Sequence, residues 1–109
     1  MITCVIEYEI DPFKRDAFEA YARTWGEAIP RCGADLIGYF APHEGSATRA
    51  YGIYSIEDLA AYEAYRARLA EDPLGRRNYE FARTERFILK ETRTFLTLAS
   101  APHAPRVRP

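Results

Sequence analysis

The chain predicts an α+β fold: a ferredoxin-like βαββαβ unit whose antiparallel sheet carries its helices on one face. Three observations predict it. Residues 2–10 alternate, with Ile2, Cys4, Ile6, Tyr8 and Ile10 on one side and Thr3, Val5, Glu7 and Glu9 on the other, which is the period of two of a strand. Phe18, Tyr21, Ala22, Trp25, Ala28 and Ile29 then recur at helical spacing and form one apolar stripe. From Gly38-Tyr39-Phe40 through Tyr51 to Tyr54 and on to Asp72-Pro73, the chain reads as strand, turn, strand and a capped helix with a stop.

Each element has its own signal. Strand one ends at Asp11-Pro12, where Asp can cap a helix and Pro suits the first helical position. Pro30 and Gly33 end the first helix. Leu36 to Pro42 is the second strand, His43-Glu44-Gly45-Ser46 a turn, and Thr48 to Tyr54 the third strand. Ser55-Ile56-Glu57-Asp58 has the S-x-x-D form of a helix start, with its acid near the positive end of the helix dipole. The second helix runs from there to Ala70. Asp72-Pro73 ends it and caps a short further helix carrying Leu74, Asn78, Phe81 and Ala82. Phe87 to Leu98 is the last strand. Residues 1–98 therefore form one domain, and 99–109, with three prolines and no apolar period, read as a flexible tail.

The strands are apolar on both faces: Val5 opposite Ile6, Ile37 and Tyr39 opposite Leu36 and Phe40, Leu96 opposite Phe95. Helices can cover only one of them. The other is expected to be buried by a second copy, giving a symmetric homodimer packed sheet to sheet.

Composition narrows the classes of function. A chain of 109 residues holds one core and is small for a deep pocket. Its net charge of −1, with Arg scattered among Asp and Glu, argues against nucleic acid or an anionic membrane as partner. No apolar run is long enough to span a membrane. No signal peptide is visible at Met1-Ile2-Thr3-Cys4, so a cytoplasmic protein is expected. Cys4 and Cys32 read as reduced, buried thiols.

The chain resembles the NIPSNAP family, within the dimeric α+β barrel superfamily. The resemblance rests on Gly38-Tyr39-Phe40, on Tyr51 to Tyr54 followed by Ser55-Ile56-Glu57-Asp58-Leu59, and on Leu69-Ala70-Glu71-Asp72-Pro73. It runs from residue 1 to about residue 98. It implies a dimeric α+β barrel and implies no particular reaction. Relatives in the wider superfamily include cofactor-independent monooxygenases, haem-degrading enzymes and isomerases of small ligands, which bind substrates between helix and sheet. Members often carry Trp just after the Asp-Pro, where this chain has Leu74-Gly75.

The sequence lacks a Gly-rich phosphate loop, HExxH, GxSxG and metal-ligand spacing, so neither metal nor cofactor is expected. Its candidate pocket residues are polar or aromatic. Glu7, Arg49, Glu91 and Arg93, with Tyr51 in the same alternate set as Arg49, could form a polar pocket for an anionic or hydroxylated ligand. They could instead sit at strand ends and edges, where charge discourages aggregation. His43, at the hairpin tip, could be an acid, a base or a haem ligand, or simply solvated. Trp25 is either core or the wall of a cleft between helix and sheet.

Three functions follow. The first is a homodimer that binds a small molecule in a cleft between helices and sheet, without a catalytic apparatus. The alternative is a cofactor-independent monooxygenase or isomerase acting on an apolar or aromatic substrate through Glu7, Arg49, His43 and Trp25. The further alternative is haem binding through His43.

Overall fold

A computed structural model describes residues 1–101. Strands β1 (Ile2–Ile10), β2 (Asp35–Phe40), β3 (Arg49–Ile56) and β4 (Ile88–Leu96) form one antiparallel sheet in the order β2-β3-β1-β4. Helices α1 (Arg15–Arg31), α2 (Leu59–Glu71) and α3 (Pro73–Glu85) lie on one side of it. This is the expected α+β, ferredoxin-like arrangement. The expected tail falls largely outside the described residues, and His103 with it.

Local chemistry moves several boundaries. The Asp11 side chain accepts from the Phe13 N–H at 2.9 Å and starts a 3-10 turn at Pro12, so α1 begins only at Arg15. Pro30 lies inside the last turn of α1 instead of ending it. So near a helix end a proline removes only one backbone hydrogen bond, and the chain reverses at Gly33, whose φ of 106° suits glycine. Ser55 and Ile56 belong to β3, not to the start of α2. Ser55 Oγ bonds Thr3 Oγ1 at 2.9 Å, and Ile56 is buried opposite Ile2. Asp58 caps α2 instead, accepting from the Ala61 N–H at 2.8 Å. The third helix has 13 residues, longer than the short helix expected.

The faces of β1 and β3 divide cleanly, whereas an irregularity between Leu36 and Gly38 of β2 turns Tyr39 to the same, helix side as Leu36 instead of opposite it. Cys4, Ile6, Tyr8 and Ile10 of β1 and Ala50, Tyr54 and Ile56 of β3 are buried under the helices. They meet Phe18, Tyr21, Trp25, Ala28 and Ile29, the stripe of α1. Gly52 makes room there for the Tyr39 ring, which would lie 2.6 Å from an added Cβ. α2 buries only Tyr65 and Leu69. α3 is tied to α1 by Asn78, buried, whose Nδ2 donates to the Tyr21 carbonyl at 2.9 Å. Gly75 is required where α3 crosses α2, because a Cβ there would meet the Leu69 carbonyl oxygen at 2.5 Å.

One carboxylate holds the helix junction. Asp72 Oδ2 accepts from the N–H groups of Leu74 and Gly75, each at 3.0 Å. Arg31 donates to both carboxylate oxygens at 2.6 and 2.7 Å, which ties the end of α1 to the start of α3. Desolvation pushes this carboxyl up, but Arg31 and the two N–H groups outweigh it and hold it below the usual carboxylate range. A depressed carboxylate stabilises the fold above its unfolded pKa of about 3.9 and loses that contribution as pH falls through its folded value. Asp72→Asn is therefore expected to lower the thermal midpoint at pH 7, with the gap to the parent narrowing below about pH 4. Thermal melts across pH 2.5–7 check it, and a constant gap would show that the charge does not matter.

Candidate functional site

Register decides which of the expected site residues can act together. Across β1 and β4, Tyr8 faces Glu91, Ile6 faces Arg93 and Cys4 faces Phe95. Glu91 and Arg93 therefore point to the helix side. Glu7 faces Tyr51 and Thr92, and Glu9 faces Arg49 and Lys90, all on the open side. The single pocket of Glu7, Arg49, Glu91 and Arg93 is thus split across the sheet. Adjacent residues of β4 alternate faces, and only its pairing with β1 sets the phase.

On the open side Glu7 Oε1 accepts from Arg49 Nη1 at 2.9 Å and from the Tyr51 hydroxyl at 3.2 Å. With Glu9, Thr48, Lys90 and Thr92, Glu7 and Arg49 border a hollow of about 180 Å³, which Tyr51 does not line. Both charges are well exposed, so the pair is screened and contributes little. His43 is exposed in the 41–48 loop and lines neither this hollow nor the helix-side cleft.

The helix side holds a more enclosed cleft of about 120 Å³. Its floor is Ile6, Tyr8 and Tyr54 of the sheet, and its walls are Trp25 of α1, Tyr65 of α2 and Tyr79 of α3. Trp25 packs edge-on against Tyr21 and Tyr79, with ring centroids at 5.6 and 5.1 Å. It is 3 % exposed, and its Nε1 has no hydrogen-bond partner among the described residues. Trp25 is thus both core and cleft wall.

Arg66, Glu91 and Arg93 supply the charge. Arg93 Nη1 donates to the Tyr62 hydroxyl at 2.8 Å, and Nη2 donates to Glu91 Oε2 at 2.9 Å. Arg66 Nη1 donates to the same Tyr62 oxygen at 2.6 Å. Arg93 Nε is buried and, like Trp25 Nε1, has no partner among the described residues. Desolvation opposes the Arg93 charge, but the Tyr62 and Tyr54 hydroxyls and Glu91 outweigh it, so the guanidinium stays protonated.

Burial pushes the Tyr8 and Tyr39 hydroxyls, 3.1 Å apart, well above the ordinary phenol range. Burial likewise pushes Tyr21 up to about 12, partly offset by the Tyr8 hydroxyl and by the neighbouring Trp25 indole, which lies beside the phenol but does not reach hydrogen-bond geometry with it. Tyr54 and Tyr65 are raised by the same cause. These phenols remain protonated at physiological pH and act as neutral hydrogen-bonding groups, not as bases. With Glu7, Arg49 and His43 outside it, the cleft can bind and orient, and it offers Glu91 as its one carboxylate.

Sequence reasoning did not single out Arg66, Tyr79, Tyr8 or Tyr21 as site residues. The spacing of Tyr62, Tyr65, Arg66 and Leu69 along α2 was a usable signal, since these positions share a helix face. Among the described residues there is no cluster of three potential metal ligands, and no helix is long and apolar enough to cross a membrane.

The NIPSNAP family model matches residues 4–102. A NIPSNAP family protein with unknown function from Agrobacterium tumefaciens shares the fold at 21 % identity and a TM-score of 0.76, over 96 % of this chain and 92 % of that one. An uncharacterized NIPSNAP-like domain protein from Burkholderia xenovorans does so at 25 % identity and a TM-score of 0.71, over 99 % and 95 %. A search of curated proteins finds no match.

Proposed function

The chain belongs to the NIPSNAP family, and from that premise we propose a homodimer, packed through the open side of its sheet, that holds a small molecule in the helix-side cleft. One observation carries the ligand: Trp25 and Arg93, which line the same cleft, each hold a buried donor, Nε1 and Nε, without a partner among the described residues. A buried donor left unpaired costs about 1–3 kcal/mol, and an acceptor brought by a ligand removes that cost. The open side supports the dimer, because Phe40 and Leu96 are 49 % and 50 % exposed there, beside half-buried Val5 and Ile53. The proposed setting is the cytoplasm, where Cys4 and Cys32, both buried and unpaired, stay reduced.

Native mass spectrometry of gently purified protein tests both parts. A dimer carrying extra mass is the expected result. For protein that retains nothing, Trp25 is the sole tryptophan, and its emission reports any compound entering the cleft. A monomer would remove the dimer, and a small-molecule panel that leaves Trp25 emission unchanged would remove the ligand site.

A further inference from the structure

We infer that the ligand of the helix-side cleft is a single-ring aromatic carboxylate. The inference rests on the cleft reading above and adds the chemical class. Size comes first. A dry cavity of about 150 Å³ admits benzene, and this partly open cleft is about 120 Å³, which limits a guest to one ring and leaves no room for two fused rings.

The lining comes second. Tyr8, Tyr21, Tyr54, Tyr65 and Trp25 present ring edges and faces, which suit an aromatic guest better than a flexible chain.

Charge comes third. Arg66 and Arg93 bring two cations, and Glu91, the one carboxylate of the lining, is already engaged by Arg93 Nη2. The surplus is positive and favours an anion. The phenols of the lining are neutral, so none of them supplies it.

Unmet hydrogen bonding comes last, and it is specific in kind. Both orphan atoms, Trp25 Nε1 and Arg93 Nε, are donors that cannot accept. They call for a guest rich in acceptor lone pairs, and a carboxylate offers about four on two oxygens. A ligand amine or ammonium would leave both donors unmet and would face two guanidinium groups. The carboxylate is therefore assigned to the two orphan donors, Arg93 Nε and Trp25 Nε1, and the ring to the tyrosines of the lining. Arg93 is held for this by Tyr62, whose ring packs edge-on against Phe95 at 4.7 Å.

The test is calorimetric titration of the full-length protein with benzoate, benzamide, benzylamine and 2-naphthoate. Benzoate is expected to bind one site per chain, with benzamide and benzylamine at least about tenfold weaker and 2-naphthoate not bound. Arg93→Gln is expected to weaken benzoate about tenfold to a hundredfold and to leave benzamide unchanged, since it removes a charge-assisted donor. Trp25→Phe keeps a ring and removes only the indole donor, so it serves as a second variant, and it too should weaken benzoate. Benzamide or 2-naphthoate matching benzoate would overturn the inference, as would benzoate binding that neither variant alters. Benzylamine or another non-carboxylate that shifts Trp25 emission while benzoate does not would overturn the ligand class and leave the cleft reading standing. Silence from every compound would overturn both.

Discussion

Ile53→Asp is expected to convert the proposed dimer to a monomer while leaving the protomer folded. Ile53 lies opposite Val5 at the centre of the open side of the sheet, where β3 meets β1. On an isolated protomer both side chains are only half-buried, so a carboxylate at 53 could stay hydrated and would cost about 1 kcal/mol of stability through lost strand propensity. Against a second sheet the same carboxylate must lose its water without a partner, at a cost of several kcal/mol per ion, and the symmetry of the dimer places it there twice. The two cases separate sharply. Light scattering over a concentration series should report a dimer for the parent and a monomer for the variant, with superimposable circular dichroism. A variant that stays dimeric would show that the sheet faces do not meet.

The second large effect belongs to the core. Phe18→Ala is expected to destabilise the fold by about 3–5 kcal/mol, a large share of the roughly 5–15 kcal/mol that holds a domain of this kind together. Phe18 is fully buried, and its ring centroid lies 5.4 Å from that of Tyr8, 5.9 Å from Tyr21 and 6.4 Å from Phe87. Truncating it opens a cavity at the meeting point of α1, β1 and the start of β4. The ring also supports Tyr8 and Tyr21, so the cleft should lose its shape with the core. Phe13 is the internal control. It lies five positions earlier in the same segment and is 95 % exposed, so Phe13→Ala should leave the denaturation midpoint unchanged within about 0.5 kcal/mol. Urea unfolding of the two variants side by side checks the contrast, and equal midpoints would mean that the aromatic cluster contributes little.

That pair of phenylalanines shows how far the sequence is legible. The alternation of β1 identifies its buried side because local geometry forces period two, and the residues on that side, Cys4 to Ile10, are the buried ones. The stripe of α1 is legible for the same reason, since its five buried residues follow the helical period. The Asp-Pro stops are legible because a cap is a contact between near neighbours. Ser55 misleads because two uses compete for it. Its hydroxyl could cap a helix, yet pairing with Thr3 across the sheet keeps it in β3.

The sequence by itself thus determined the α+β fold, the order of its elements and the presence of a second apolar sheet face. Tertiary structure alone decided which charges share a site. Residues of β4 are apolar and polar on both sides, so no local period says which way Glu91 and Arg93 point. The hydrogen-bonded register with β1, made between residues more than seventy-five positions apart, turns them towards Trp25 and leaves Glu7 and Arg49 on the other side. A strand two residues wide in period has only two phases, and the choice between them is made by pairing, which is a long-range interaction.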